Sequence, residues 1–307
     1  MVFKPKKAPT DTPESPQDIA KLRWPMWFEP KIDGIRMTNY GKVFSAQAKP
    51  FPSNYVHTHF GSKLHLGIDG EATSGEPNDP LVFSNTYSAM MTHGSMAPVI
   101  WNVFDYCHPD HWDRSYEARL DTLLEILYSR KTEGLPGEIR VVERTLVKSW
   151  DEALEQEQRI LLQGYEGGML HGYGLPYKFG RGTLNQNYLI KLKRFETREA
   201  IIIGFYELEH NDNEAYIDGT GHTKRSSHKA NKRLGGTLGG FRVRDCVSGV
   251  EFNLGSGLGL DAALRHHIWH NQALYLGKMV SYKKLKVGEK DKPRNCTFRG
   301  FRSPIDL

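Results

Sequence analysis

The chain has few cysteines and no long apolar run, and both absences restrict what kind of protein it can be. Its three cysteines, Cys107, Cys246 and Cys296, are far apart in 307 residues and form no CxxC pair. This spacing argues against a disulfide framework and against structural zinc, so we expect reduced thiols. No segment approaches the roughly 20 apolar residues of a membrane span, and the N-terminal region has no apolar signal core. We therefore expect no membrane partner and a location inside a cell. For a prokaryotic host or a viral origin this location is the cytoplasm, and the nucleus is the alternative.

The chain also lacks a strong excess of either charge. The formal net charge is +5 and the pI is about 8.9, a balance that permits a polyanionic partner without requiring one. The segment from His222 to Arg233 stands out because it contains no acidic residue. Its cations are Lys224, Arg225, Lys229, Lys232 and Arg233. Taken alone, such a run is usually a solvated loop.

Hydrophobic patterns predict an α/β or α+β domain with a twisted antiparallel sheet in the first two thirds of the chain. Predicted strands are Met26–Pro30, Ile35–Tyr40, Val43–Ala46 and Ala97–Tyr106, and predicted helices are Tyr116–Arg130 and a segment from Ser149 to Gly164. Ser149 and Glu152 have the spacing of a capping box at the start of the second helix. Before this domain, residues 1–20 are expected to form a flexible tail.

The composition changes near Arg194, where we place a domain boundary. Predicted elements beyond it are strands at Ala200–Phe205, Phe241–Arg244, Val250–Leu254 and Met279–Val287 and a helix near Leu260–Asn271. This content suits a small β-barrel of the OB type. The sequence thus predicts one domain over residues 21–194 and a barrel domain over 195–307, with a basic insertion around 207–236.

The heptapeptide from Pro30 to Arg36 reads PKIDGIR and is the most informative segment of the chain. Lys31, Asp33 and Arg36 stand at a spacing found in nucleotidyl transfer, with Lys31 as the candidate nucleophile. Taken alone, the motif is more often a strand-turn-strand hairpin that carries solvated charges. Four further segments downstream support the functional reading.

Those segments supply carboxylates, cations and an aromatic ring. Asp69-Gly70-Glu71 and Glu166-Gly167-Gly168 place carboxylates beside glycine, where the backbone can approach a ribose or a hydrated metal ion, although a surface turn is the alternative for either. In a strand, Lys191 and Lys193 point to one face. Phe104 is a candidate stacking surface for a purine, or a plain core residue.

A lysine nucleophile must lose its proton. Lowering its pKa from 10.4 to near 7.4 requires roughly 4 kcal/mol of destabilisation of the charged form. Two cations about 5 Å apart at an effective dielectric constant near 20 repel by roughly 3 kcal/mol. We therefore expect Lys191, Lys193 and a metal ion to lower the pKa of Lys31.

Seven segments, in order, resemble the minimal ATP-dependent DNA ligases of the viral type. They are Pro30–Arg36, Ile68–Glu71, Phe104–Tyr106, Tyr165–Met169, Tyr177–Leu184, Leu189–Phe195 and Leu276–Val280. The resemblance spans roughly residues 24–306. It implies a nucleotidyltransferase (adenylation) domain followed by an OB-fold domain, with ATP and Mg²⁺ or Mn²⁺ as cofactors.

The resemblance also implies a role for each motif residue. Lys31, within its motif with Asp33, would be the adenylated lysine, Glu29 would recognise the adenine and Phe104 would stack on it. Arg36 and Glu71 would hold the ribose or the nick phosphate, and Glu166, with Glu71, would organise the metal. Lys191 and Lys193 would contact the α-phosphate, Arg181 would position AMP or the nick, and Arg294 and Asp306 would orient pyrophosphate.

Two further features concern DNA. The basic segment within 207–236 resembles the family's latch, a hairpin that closes over duplex DNA. Family members usually carry an arginine after the serine of the second motif, a contact for the nick 5′-phosphate, but here Ser45 is followed by Ala46. Lys49 is the candidate substitute, so either Lys49 binds this phosphate or phosphate sensing is weak.

These inferences predict a monomeric enzyme that seals nicks in duplex DNA through lysyl-AMP and DNA-adenylate. An mRNA capping guanylyltransferase, which uses GTP, and an RNA ligase share the lysine motif and remain alternatives. A catalytically silent DNA-binding protein on the same scaffold is a third, and the intact Lys31, Glu166, Lys191 and Lys193 argue against it.

Overall fold

The structure is a computed structural model that describes residues 3–131, 138–219, 221–257, 259–285 and 291–302, with only the backbone at 130 and 131. The chain divides into two units. The first comprises Met1–Lys193 with Asp218–Gly221, and the second comprises Arg194–Ile217 with His222–Leu307. Each unit combines strands with helices, so the protein has a mixed α and β architecture with several sheets and few helices.

The first unit contains two sheets and the helices that cover them. Its helices are α1 (Pro16–Ile19), α2 (Asn54–Phe60), α3 (Val82–Met91), α4 (Tyr116–Lys131) and α5 (Trp150–Leu162). Its strands are β1 (Met26–Pro30), β2 (Ile35–Asn39), β3 (Val43–Ser45), β4 (Ile68–Thr73), β5 (Ile100–Tyr106), β6 (Glu138–Val141), β7 (Thr145–Val147), β8 (Gly167–Gly172) and β9 (Leu189–Lys193). The orders are β7-β1-β8-β9 and β3-β2-β4-β5-β6, antiparallel throughout except for the β5–β6 pair.

Each sheet of the first unit has its own apolar core. In the five-stranded sheet, Met37 and Trp101 pack with Phe60 of α2 and Leu123 of α4. In the four-stranded sheet, the core includes Phe28, Leu170 and Ile190 together with Ala153 and Ile160 of α5. Burying each of the large side chains contributes about 1.5–3 kcal/mol, which fixes the strands from which the polar site residues project.

Several predicted elements are confirmed. Strand β1 has the predicted bounds, and α4 covers the predicted segment. Helix α5 begins after Ser149, whose hydroxyl accepts a hydrogen bond from the Glu152 amide at 3.2 Å, and it ends before Gly164. Strand β5 begins at Ile100, later than predicted, after Pro98, which has no N–H to donate to a ladder.

The surface-turn reading of Asp69-Gly70-Glu71 is wrong. These residues lie in β4, which is a central strand between β2 and β5. Alternation of polar and apolar residues was a weak signal for this strand, because most of the strand is buried on both faces. Arg36 and Glu71 are paired across β2 and β4, so the ladder brings two motifs into register.

The N-terminal segment differs from the expected flexible tail. The Lys6 side chain is only 2% exposed, and its Nζ lies 2.7 Å from Asp105 Oδ2. The Lys7 amide donates to the Gly180 carbonyl at 2.8 Å, and the Phe3 ring stacks on Tyr40 at 4.5 Å. The polar composition suggested disorder, but a buried ion pair and ring stacking hold this segment on the first unit.

The second unit is built from a cycle of strands and one helix. Its elements are β10 (Phe195–Asn211), β11 (Ala215–Ile217), β12 (Thr223–Arg225), β13 (Lys232–Asp245), β14 (Glu251–Gly255), α6 (Ala262–His270), β15 (Met279–Leu285) and β16 (Thr297–Phe301). Strands pair in the cyclic order β10-β13-β14-β16-β15, around a core that includes Phe241, Leu254 and Tyr282. The β11–β12 pair forms a separate hairpin.

Strands β10 and β13 are much longer than predicted. Their outer halves are polar or glycine-rich, which hid them from hydrophobic patterning, yet they pair with each other as far as Asn211 and Lys232. The predicted strand Met279–Val287 is described only to Leu285, and its last two residues lie outside the described residues. Among the described residues, no helix has both the length and the hydropathy needed to cross a membrane.

Candidate active site

The side chain of Lys31 is the centre of a compact charge cluster. Lys31 follows β1, and its amide donates to the Gly167 carbonyl at 2.8 Å. Its Nζ donates to Glu166 Oε2, while Lys193 Nζ lies 2.6 Å from Glu166 Oε1. The Glu166 side chain is only 2% exposed. One buried carboxylate therefore bridges two ammonium groups, one from the turn after β1 and one from β9.

Two glycines allow the backbones around this cluster to come close. A Cβ atom at Gly167, where φ is +154°, would lie 2.1 Å from the Leu192 carbonyl oxygen. A Cβ atom at Gly34 would lie 2.2 Å from the Ala72 carbonyl oxygen. Since real Cβ atoms do not approach oxygen so closely, a larger residue would push β8 from β9, or the turn after Lys31 from β4.

A cavity of about 280 Å³ adjoins Lys31. This volume is near the lower end of the range for small-molecule sites. The sequence-predicted residues that line it are Glu29, Lys31, Arg36, Glu71, Phe104 and Arg181. They come from β1, β2, β4, β5 and the loop after β8, so both sheets of the first unit contribute to one site.

Arg36 is fixed by an ion pair and covers an aromatic ring. Its Nε and Nη2 lie 2.6 and 2.5 Å from the two carboxylate oxygens of Asp69. Its guanidinium carbon lies 4.6 Å from the centre of the Phe104 ring. Thr38 and Tyr177 also donate to Asp69, at 2.8 and 3.3 Å. Asp69 therefore orients Arg36 at the cavity, a role that the sequence analysis did not assign.

The charges around Lys31 contradict the expectation about its pKa. Burial acts to lower the pKa of Lys31, but Glu166, followed by Glu71 and Asp33, outweighs burial and raises it above its ordinary value. For Glu166 burial acts upward, and Lys31 and Lys193 overcome it and lower the pKa. The expectation was that Lys191 and Lys193, with a metal ion, lower the pKa of Lys31. The two lysines alone do not lower it in this arrangement, because Glu166 binds Lys31 directly and Lys193 is bound to the same carboxylate.

The pKa of Glu71 shifts in the direction opposite to that of Glu166. Burial raises its pKa to about 7, against the opposing effects of Lys31 and Arg36. Asp69 and Asp33 add to the rise. Asp33 lies in the turn between β1 and β2, and its charge affects both Lys31 and Glu71. Glu71 can therefore change its protonation state near neutral pH.

Lys191 and Arg181 contact the N-terminal segment. Lys191 Nζ donates to the Thr10 carbonyl at 2.5 Å, and Arg181 Nη1 donates to the Ala8 carbonyl at 2.9 Å. The pKa of Lys191 is lowered by burial and by Lys193, Arg181 and Lys31. Lys191 and Lys193 lie on the same face of β9, as the alternation predicted, but they contact different partners.

Some predicted residues lie elsewhere. Lys49 is exposed in the turn that follows β3 and does not line the cavity, whereas Ala46 does. Arg294 belongs to the second unit, where its carbonyl accepts a hydrogen bond from the Leu285 amide at 3.1 Å. Asp306 lies outside the described residues.

The predicted DNA-binding cations lie on the β11–β12 hairpin and the strand ends beside it. Arg225 donates to the Asn213 carbonyl; Lys232 lies 3.3 Å from Glu209, and Arg233 lies 2.6 Å from Asp212. Lys224 is partly buried and Lys229 is exposed. Residues 207–236 contain five acidic and five basic residues, so the segment has no net charge. All five basic residues follow the acidic ones in the sequence.

Sequence reasoning missed three residues at the site. His171 lines the cavity, and Lys6 and Arg119 both bind the buried Asp105. A signal for His171 existed, because it lies two residues after Met169 in the same strand and both side chains face the cavity. No comparable signal marked Lys6, which lies in a polar, proline-rich segment.

A lysine amine lies beside the cavity of about 280 Å³, with carboxylates and further cations around it. Covalent nucleotidyl transfer requires this set of groups. Two solved structures of Chlorella virus DNA ligase-adenylate are similar to the chain along its length. One is 28% identical, covering 98% of this chain and 100% of that one, with a TM-score of 0.54. The other is 30% identical, covering 99% of each chain, with a TM-score of 0.53.

A structure from work on Lig E DNA ligases is 23% identical over 98% of this chain and 100% of that one, with a TM-score of 0.68, which supports the fold. No protein-family model and no curated protein matches the chain. On the full-length similarity to the Chlorella virus enzyme, the chain belongs to the ATP-dependent DNA ligases.

Proposed function

We propose that this protein seals nicks in duplex DNA in three chemical steps, using ATP and a divalent cation. The observation that carries the proposal is the position of the Lys31 amine, which is held by Glu166 beside the cavity that Glu29, Arg36 and Phe104 line. Family membership supports ATP as the nucleotide.

In the first step, Lys31 Nζ attacks the α-phosphorus of ATP, a P–N bond forms, and the bond to pyrophosphate breaks. The amine must lose a proton beforehand. Glu166 accepts a hydrogen bond from it and holds it in place, but the raised pKa of Lys31 and the lowered pKa of Glu166 oppose proton transfer between the two groups. Lys191 and Lys193 would offset negative charge on the α-phosphate. By resemblance, Arg294 and Asp306 orient the pyrophosphate.

The carboxylates of the site fit a divalent cation. Glu166 and Glu71 both lie near Lys31, and one or two carboxylates together with substrate phosphates are the usual ligands of Mg²⁺ in phosphoryl-transfer sites. Mg²⁺, or Mn²⁺ in its place, would act as a Lewis acid on the phosphates and would weaken the hold of Glu166 on the Lys31 proton.

In the second and third steps, AMP passes to the 5′-phosphate of the nick, and the adjacent 3′-hydroxyl attacks that phosphorus and releases AMP. Arg36 and Arg181 carry fixed positive charge at the cavity and suit phosphate or ribose contacts. We propose that residues 21–194 are the adenylation domain, and that residues 195–307 are an OB-fold domain with a latch at 207–236.

We further propose that a monomer grips nicked duplex DNA chiefly through its phosphates, with strong salt dependence and little sequence preference. Lys49 and the latch cations Lys224, Arg225, Lys229, Lys232 and Arg233 are the proposed contacts. We also propose a location inside a cell.

Nick sealing and its separate steps can be tested with one variant. The Lys31→Ala variant should form no lysyl-AMP with α-labelled ATP and should not seal a nick from ATP, because the nucleophile is gone. It should still seal a nick that already carries AMP on its 5′-phosphate. Labelling of Lys31→Ala at the parental level would contradict the assignment of Lys31.

The same assay separates the alternative enzymes. Labelling of the parent by GTP but not by ATP would indicate a guanylyltransferase, and sealing of nicked RNA in preference to DNA would indicate an RNA ligase. A parent protein that binds nicked DNA yet is never labelled would be the silent scaffold.

A further inference from the structure

Glu29 presents one bonded and one unbonded carboxylate oxygen at the cavity. The residue is 3% exposed, and its Oε1 lies 2.7 Å from Nε2 of His171. Its Oε2 is buried and has no hydrogen-bond partner among the residues that the structure describes. A buried acceptor without a partner is costly, so the protein maintains this oxygen for a ligand.

A chain of buried polar groups leads from Glu29 to the N-terminal segment. His171 Nδ1 lies 3.3 Å from Lys6 Nζ, and Lys6 Nζ lies 2.7 Å from Asp105 Oδ2. Arg119 binds the same Asp105 carboxylate at 2.9 and 3.2 Å. Burial alone would raise the pKa of Asp105, but Arg119 and Lys6 hold it well below its usual range.

These contacts determine which ring nitrogen of His171 carries hydrogen. Burial lowers the pKa of Lys6, but the Asp105 carboxylate bound to it opposes that shift and favours the charged form. The ammonium form donates hydrogen bonds and accepts none, so with it Nδ1 is the acceptor and Nε2–H donates to Glu29. Burial lowers the pKa of His171, with Glu29 opposing, which agrees with a neutral ring. Tyr116 stacks on the ring at 4.4 Å and fixes its plane.

We propose that Lys6 and His171 are positioning residues that hold Glu29 so that its Oε2 only accepts a hydrogen bond from the group at the purine 6-position. The N-terminal segment, through Lys6, would thereby set nucleotide selectivity. The inference rests on the proposed function and extends it, because the resemblance implied only that Glu29 reads adenine. Adenine presents a 6-amino donor to Glu29 Oε2, whereas a 6-oxo purine presents an acceptor. Two acceptors facing each other in a buried site repel and leave both unpaired.

The test compares ATP with inosine triphosphate (ITP), which carries a 6-oxo group in place of the 6-amino group. The full-length parent and its variants are mixed with α-labelled ATP or inosine triphosphate, and the rate and apparent affinity of lysyl-nucleotide formation are measured in single turnovers. The parent should prefer ATP strongly. Lys6→Met and His171→Phe should reduce the ATP/ITP ratio by about tenfold or more, with a smaller change in the maximal rate with ATP.

Two matched variants separate positioning from general structural damage. His171→Gln keeps an N–H donor near the position of Nε2 and should retain most of the selectivity that His171→Phe loses. Lys21→Met makes the same substitution at an exposed lysine of the N-terminal region and should leave the ratio unchanged. If Lys6→Met does not fold, the comparison of the two His171 variants still decides the matter.

Each outcome supports or overturns the inference. Equal losses with ATP and ITP in the Lys6 and His171 variants, leaving the ratio unchanged, would show a structural role only. A parent that is labelled by ATP and ITP equally well would overturn the inference while the proposed function stands. A parent that no nucleotide labels would instead remove the proposed function itself.

Discussion

Glu71 is a site carboxylate whose ionisation depends strongly on its surroundings. Burial raises its pKa from 4.5 to about 7, so the folded protein binds a proton more tightly there than the unfolded chain does. Stability from neutral Glu71 is present below pH 4.5 and is lost as the pH rises through 7.

The Glu71→Gln variant should therefore be more stable than the parent at pH 8 and nearly equal to it at pH 5. At about 1.4 kcal/mol per pKa unit, the difference in free energy of unfolding at pH 8 is at most about 3 kcal/mol. Urea denaturation at both pH values measures it. A difference that does not vary with pH would show that Glu71 is not the titrating group.

Ala46 lines the cavity, and at this position an arginine is usual in the family. Its effect on recognition of the nick 5′-phosphate can be tested. A charge-assisted hydrogen bond to phosphate contributes about 1.5–3 kcal/mol. If no other cation compensates, the parent should bind nicks with and without a 5′-phosphate about equally, and Ala46→Arg should increase the difference. If Lys49 compensates, Lys49→Ala should impair AMP transfer to the nick more than lysyl-AMP formation.

Binding titrations with the two nicks, for the parent and both variants, distinguish these cases. Strong discrimination that neither substitution changes would reject both accounts. Lys49 is exposed in its turn, so its substitution should have little effect on stability.

At the scale of elements, the β11–β12 hairpin and the strand ends beside it separate acidic from basic residues. Lys232 and Arg233 are paired with Glu209 and Asp212, so their charges are partly offset. Lys229 is exposed, and no ion pair to it is recorded within the described ranges. We therefore expect Lys229 to contribute more to DNA binding than the two paired cations.

The Lys229→Ala variant should weaken binding to nicked duplex and reduce the slope of log affinity against log salt by about 0.9. Arg244→Ala, at an exposed arginine of β13 paired with Glu251 at 2.6 Å, is the matched control and should leave the slope unchanged. Lysyl-AMP formation should be unaffected in both. An unchanged slope for Lys229→Ala would restore the solvated-loop reading of this residue.

At the scale of the whole molecule, the residues assigned to the first chemical step are divided between two units. Lys31, Glu166 and Lys193 belong to the first unit, and Arg294 belongs to the second. By resemblance, Arg294 serves only the step that expels pyrophosphate, so a defect there should be specific to one step.

The Arg294→Ala variant should lose lysyl-AMP formation by a factor of about 100 or more, as expected when a preorganised cation on the leaving group is removed. It should seal pre-adenylated nicks at close to the parental rate. Single-turnover assays of the two reactions provide the measurement. Equal defects in both would mean that Arg294 grips DNA or that its substitution disrupts the second unit.

The sequence by itself identified the residues that meet at the centre and the type of most elements. Lys31, Glu166 and Lys193 were predicted from motif spacing, because nucleotidyl transfer needs those groups and alternation in β9 fixes the direction of its lysines. Apolar periodicity also predicted β1, α4 and α5, since local pattern and tertiary burial agree there.

Only the tertiary structure decided the pairings between distant segments. Lys6 is 99 residues from Asp105, and nothing local in a polar, proline-rich segment indicates that its ammonium group is buried. The direction of the pKa shift at Lys31 likewise depends on which charges lie nearest, and the carboxylate of Glu166 outweighs the lysines that the motif placed nearby. Electrostatic energy varies with distance and burial, neither of which a sequence specifies for residues that meet only after folding.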